Sequence, residues 1–137
     1  MERSTVDLAL VPAGGLGPVR SDVREQLARW GRSALADDCL LVVSELLANA
    51  YGHGMAPVRL SLALRGQAGG QVVRVQVSDM GPGFDIGLVS ARWRHPSFRL
   101  DQGGRGLLLV DALCRAWGER RDRRGHTVWA DLPRGIA

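Results

Sequence analysis

The chain contains no lysine: all 18 of its basic residues are arginine. Complete replacement of one cation by the other fits coding bias, since the arginines are spread along the whole sequence. The resulting formal charge of +4 sits on side chains whose planar forks suit phosphate groups. Aromatics are scarce at 5%, so the core must be built from Leu, Val and Ala. Only two cysteines occur, Cys39 and Cys114, and their separation matches no metal-binding spacing. Both fall in predicted helices, where a free cysteine is a small buried hydrophobe, as expected in a reducing compartment. No apolar stretch approaches the ~18 residues of a membrane span. The first seven residues hold no apolar leader segment. A cytoplasmic protein without a membrane anchor is the expectation. The P-loop run Gly-x-x-x-x-Gly-Lys-Ser/Thr is missing as well.

What is present suits one domain, residues 1–137, because a chain of this length is too short for two comfortable cores. A charged share of 23% and a mean hydropathy of −0.05 are those of a globular protein. Residues 5–11 alternate as a first strand, stopped by Pro12. Gly14, Gly15 and Gly17 make a loop, and Pro18 suits the first turn of a helix that runs to about Gly31. Val19, Val23, Leu27 and Trp30 form its buried side at helical spacing. A second helix, about 37–52, opens on Asp37 and Asp38, where negative charge is favoured. Its wheel gathers Leu40, Val43, Leu47 and Ala50 on one side. Asp38, Glu45, Asn49 and Gly52 lie opposite, flanked by Leu41, Val42 and His53. A sparse polar pair among small and apolar residues looks like a pocket wall rather than a solvated face.

Two strands follow, through Val58–Leu64 and Val72–Val77, joined by the turn Gly66-Gln-Ala-Gly-Gly70. Residues 79–104 are long and glycine-punctuated, as functional lids often are. A helix at about 104–114, a strand at 116–121, the turn Arg121-Asp-Arg-Arg-Gly125 and a strand from Thr127 to Leu132 complete the order. Grouped helices with mostly antiparallel strands predict an α+β sandwich, one sheet with its helices on one face.

Three segments carry chemistry. In Ser44-Glu-Leu-Leu-Ala-Asn-Ala50, Glu45 and Asn49 stand one helical turn apart on the same side. A carboxamide oxygen is a suitable hard ligand for Mg²⁺, and a carboxylate one turn away can take a proton from an attacking hydroxyl. Asp79-Met-Gly-Pro-Gly83 follows directly on a strand, so Asp79 can accept a hydrogen bond from an exocyclic amine such as adenine N6. Gly81 and Gly83 let the backbone approach a flat ring. Gly103-Gly-Arg-Gly-Leu107 opens a helix, where exposed N–H groups suit phosphate and Arg105 adds charge. Singly, each segment is also an ordinary amphipathic helix, turn or cap.

Together and in this order, the three resemble the N box and the two glycine boxes of the Bergerat-type ATPase superfamily, which gyrase and the histidine kinases share. The closest resemblance is to the stand-alone anti-sigma-factor serine kinases of the RsbW and SpoIIAB type, numerous in actinobacteria, and it spans about residues 5–132. The tail Gly125-His-Thr-Val-Trp-Ala-Asp-Leu132 looks like that family's closing strand. The resemblance implies a two-layer sandwich with a mixed, mostly antiparallel sheet and an ATP lid at about 85–103. It implies ATP and Mg²⁺ as cofactors, Glu45 as general base and Asn49 as Mg²⁺ ligand. Asp79 would bind the adenine amine, with Gly81 and Gly83 shaping the pocket and Thr127 beside the base. Gly104 and Gly106, with Arg105 between them, would meet the phosphates, and His53 matches the histidine that closes the N box. One departure is His126, where the family pattern Gly-Lys-Thr-Val-Trp has lysine. Tyr51 and Gly52 are a second, modest departure.

The implied function is an ATP-dependent serine/threonine protein kinase that sequesters a sigma factor and phosphorylates a STAS-type anti-anti-sigma protein, with homodimers common in the family. No phospho-acceptor histidine hairpin precedes the domain and no transducer follows, so output is expected through a bound partner. The alternative is a catalytically silent, nucleotide-gated protein-binding module. A nucleic-acid reading rests on Arg120, Arg121, Arg123 and Arg124, which sit in an expected hairpin turn without stacking aromatics. That arrangement argues for no specific nucleic-acid partner.

Overall fold

A computed structural model describes residues 4–10, 16–53, 55, 57–66, 70–81, 105–123 and 125–134; for 4–10, 53, 105 and 106 it describes the backbone alone. The elements are β1 (Ser4–Leu10), α1 (Leu16–Arg29), α2 (Ala36–His53), β2 (Arg59–Arg65), β3 (Val72–Asp79), α3 (Arg105–Leu113), β4 (Ala116–Asp122) and β5 (Gly125–Leu132). The expected α+β sandwich is present. The five strands run in the order β1-β2-β3-β5-β4, and every pairing between neighbours is antiparallel. The sheet is therefore not mixed, as the resemblance implied, among the described residues. The last strand of the sequence enters the sheet beside its middle strand, β3.

Alternation along β2, β3 and β5 divides the sheet into two faces. Leu60 and Leu62, Val73, Val75 and Val77, and Val128, Ala130 and Leu132 are buried on one face, against Val23 and Leu27 of α1 and Val43, Leu46 and Leu47 of α2. The core is aliphatic, as the shortage of aromatics requires. Truncating a fully buried leucine such as Leu46 to alanine would cost about 2–5 kcal/mol. The other face is polar: Arg74 of β3 pairs bidentately with Asp131 of β5 at 2.7 and 3.0 Å. The guanidinium also lies 4.2 Å above the Trp129 ring, a cation–π contact. The bonds to Asp131 are the first cause holding the Arg74 guanidinium above its ordinary pKa.

α1 ends in a glycine-based cap. Gly31 has φ +70°, and two bonds, Arg32 N–H to Leu27 carbonyl at 2.7 Å and Gly31 N–H to Ala28 carbonyl at 3.0 Å, satisfy its last carbonyls. A short 3-10 turn, Ser33–Leu35, then leads into α2, which packs on α1, α3 and β3. Trp30 is only partly buried against the core. Of the two residues expected to flank the polar side of α2, Val42 is buried and Leu41 is exposed. Cys39 in α2 and Cys114, one residue past α3, are both buried and free. Burial, and secondarily the nearby charges, push both thiols up to about 12. Among the described residues no helix is long and apolar enough to cross a membrane.

Candidate functional site

Glu45 and Asn49 lie on α2 with Val42, away from the stripe formed by Leu40, Val43, Leu47 and Ala50. Both residues are half-buried. The Asn49 Nδ2 atom is buried yet has no hydrogen-bond partner among the described residues. Amide O and N are assigned from their partners. The orphaned atom is thus a donor for a phosphate oxygen in one orientation and a hard oxygen ligand for Mg²⁺ in the other. Glu45 finds no ion-pair or hydrogen-bond partner among the described residues.

Asp79 ends β3 and is 6% exposed. Its Oδ1 accepts from the Gly81 N–H at 2.6 Å and the Met55 N–H at 3.3 Å. A further bond from Met80 N–H to the Met55 carbonyl, at 2.8 Å, ties the segment after α2 to the end of β3. One carboxylate oxygen is thereby spent on holding two loops. The other, Oδ2, is directed toward His126 of β5 at 3.5 Å. Gly125, with φ +141°, packs so closely beneath this point that a Cβ would collide with the Asp79 carbonyl oxygen and reach Met80 Cα at 2.9 Å. Only glycine fits there, which is why this strand can begin beside the aspartate.

The register Ser78↔Thr127 and Asp79↔His126 decides which β5 side chain accompanies Asp79. Directly opposed residues share a face, so His126 stands with Asp79 on the helix side. Thr127 lies with Ser78 on the other face, its Oγ1 3.0 Å from Ser78 Oγ. The structure therefore does not bring Thr127 to the Asp79 carboxylate. A cavity of about 530 Å³ wraps the strand ends, and Asp79, His126, Ser78 and Thr127 all line it. Its volume falls in the range of small-molecule sites.

Of the other expected residues, Arg105 and Gly106 open α3, which packs against α2. Their place at a helix N-terminus suits phosphate, and their side chains are not described. Gly83, Gly104 and the expected lid at about 85–103 lie outside the described residues, as does the His53 side chain. Sequence reasoning missed His126 as a neighbour of Asp79, and Glu119 as the neighbour of His126; the signal was the histidine in place of lysine.

A buried carboxylate at a strand end, its Oδ1 held by two N–H groups and its Oδ2 facing His126, beside a helix carrying an orphaned carboxamide, is suited to recognising an amine and an oxyanion-bound cation together. Among the described residues no group of three or more His, Cys, Asp and Glu could hold a metal alone. Mg²⁺ draws most of its ligands from water and phosphates, so a single Asn49 oxygen is a sufficient protein share. A family model described as histidine kinase-like ATPase domain matches residues 12–132. No curated protein matches the sequence.

Proposed function

The chain belongs to the histidine kinase-like ATPase domain family, and from that premise we propose that it is a regulatory serine/threonine protein kinase whose substrate is a STAS-type anti-anti-sigma protein and whose sequestered target is a sigma factor. The observation that carries the nucleotide part is Asp79, buried, lining the cavity, with Oδ1 held by two backbone N–H groups and Oδ2, which also faces His126, as the acceptor for adenine N6. Asn49 would hold Mg²⁺, which when bound neutralises phosphate charge. Glu45, one turn before it, would take the proton of the attacking serine hydroxyl. Arg105 and the first turn of α3 would meet the phosphates. The resemblance and the packing of α2 against α3 support these roles, and the partners and a homodimeric assembly rest on the resemblance alone. The same reading locates the protein in the cytoplasm, with neither a membrane nor a specific nucleic acid among its partners.

The test is transfer of labelled γ-phosphate from ATP to STAS-type proteins encoded near it. Wild type should label a serine, and Glu45→Gln should reduce transfer by about a hundredfold or more while ATP affinity stays within about twofold. Equal transfer by the two proteins would remove Glu45 from the role of base. A nucleotide-gated binding module without transfer is the second reading, favoured by the absence of any orienting partner for Glu45 among the described residues. ATP-dependent binding of a partner that never becomes labelled would establish that reading instead.

A further inference from the structure

Met1 aside, the sulfur of this chain lies in two methionines, Met55 and Met80, and two cysteines, Cys39 and Cys114. Methionine is among the residues most often fully buried. Here both methionines are at the surface, 59% and 50% exposed. The cysteines are the reverse, 0% and 4% exposed within the core. Burial, ahead of the nearby charges, pushes both thiols up to about 12, so the thiolate that oxidants attack is scarce. The protein thus shields the sulfur that usually meets oxidants and presents the sulfur that usually packs.

The two methionines also share one place. The Met80 N–H donates to the Met55 carbonyl at 2.8 Å. The Met55 N–H in turn donates to Asp79 Oδ1 at 3.3 Å. Met80, next in sequence to Asp79, lines the same cavity as that residue, and Met55 is not among the described residues that line it. One exposed thioether therefore stands in the cavity wall and the other beside it.

We propose that Met80 is a site of reversible oxidation by hydrogen peroxide, and that its conversion to the sulfoxide weakens nucleotide binding. This rests on the nucleotide reading of the cavity. The thioether sulfur attacks one peroxide oxygen; the O–O bond breaks, an S–O bond forms and water departs. Sulfur gives up two electrons and the peroxide takes them, so no further reactant is needed. A flexible apolar side chain becomes a polar, chiral one. In a cavity wall the thioether offers a soft apolar surface to the flat face of a base. The sulfoxide oxygen is an acceptor that holds water there and withdraws that surface. Met55, outside the wall, takes up oxygen without reaching the ligand.

The test is peroxide treatment of the native protein, read by peptide mass spectrometry and by ATP calorimetry before and after. Met55 and Met80 should each gain one oxygen while Cys39 and Cys114 stay reduced. ATP affinity should fall by about tenfold. It should return after treatment with the two methionine sulfoxide reductases, one for each epimer. Met80→Leu, with no sulfur to oxidise in the cavity wall, should hold its own ATP affinity within about twofold across the treatment. Met55→Leu should lose affinity as wild type does. Met80→Gln, polar without any oxidant, should bind ATP as weakly as oxidised wild type. Unchanged affinity with Met80 fully converted overturns the proposal, and so does an equal loss in Met80→Leu. Oxidation of the cysteines ahead of the methionines overturns it as well. A protein that binds no ATP before treatment places the failure in the nucleotide reading and ends the binding claim with it, while the mass spectra still decide whether Met80 is the oxidised sulfur.

Discussion

The carboxylate of Asp79 and the carboxamide of Asn49 are both expected to touch nucleotide, yet the protein treats them in opposite ways. Asp79 is wired in before any ligand arrives: two backbone N–H groups hold one oxygen and His126 faces the other. Asn49 carries a buried polar atom with nothing to bond among the described residues. An unmet buried donor costs about 1–3 kcal/mol, so the free protein carries a penalty at α2 that a phosphate or cation would relieve. In the proposed site, base recognition would thus be completed by folding and the phosphate end by the ligand.

The largest blow to the wired end should come from Gly125→Val. Its Cβ has no room beneath Asp79 and its φ is left-handed, so a loss of about 3 kcal/mol or more in denaturant unfolding is expected, with loss of ATP binding. A direct contrast comes next. Asp79→Ala strands two N–H groups and an imidazole and should cost about 2 kcal/mol without ligand. Asn49→Ala removes an unmet group and should leave ligand-free stability unchanged or slightly raised. Both should abolish Mg²⁺-dependent ATP binding. Equal destabilisation by the two would erase the contrast. On the opposite face of the sheet, Arg74→Met should cost about 1 kcal/mol through its half-buried ion pair and leave ATP affinity unaltered.

The smallest effect at neutral pH concerns the thiols. Burial first, and nearby charge second, holds Cys39 and Cys114 up to about 12, so the folded chain keeps protons that the unfolded chain releases near about pH 8.5. Their contribution is therefore complete below that pH and falls as pH rises toward 12. Thiol reagents at about pH 8 should react with neither cysteine until the protein unfolds. Rapid labelling of the native chain would show that α2 and α3 open more readily than their packing implies.

The helices were legible because their signals are local. The Val19, Val23, Leu27 spacing marks the buried side of α1, and Gly31 supplies the left-handed residue that stops it. Asp79 was legible for a similar reason, an acid at the last position of a strand before glycines. The face on which Thr127 stands was not legible, because alternation in Gly125-His-Thr-Val-Trp129 fits either face until β5 is paired with β3. That pairing spans 47 residues, from Asp79 to His126, and no local pattern encodes it. Leu41 and Val42 illustrate the same limit on α2, since only the packing of the other elements around α2 decides which of the two is covered.

The register that brings His126 to Asp79 also makes β4 the outermost strand, and four of its seven residues, Glu119, Arg120, Arg121 and Asp122, are charged. A free strand edge offers unpaired backbone groups to any other extended chain, and charge along it deters such pairing. Two of the four arginines that first suggested a polyanion partner, Arg120 and Arg121, thus have a use that needs no partner at all. They keep one molecule's sheet from being extended by another's, and neutralising them should show first as clumping in concentrated solution.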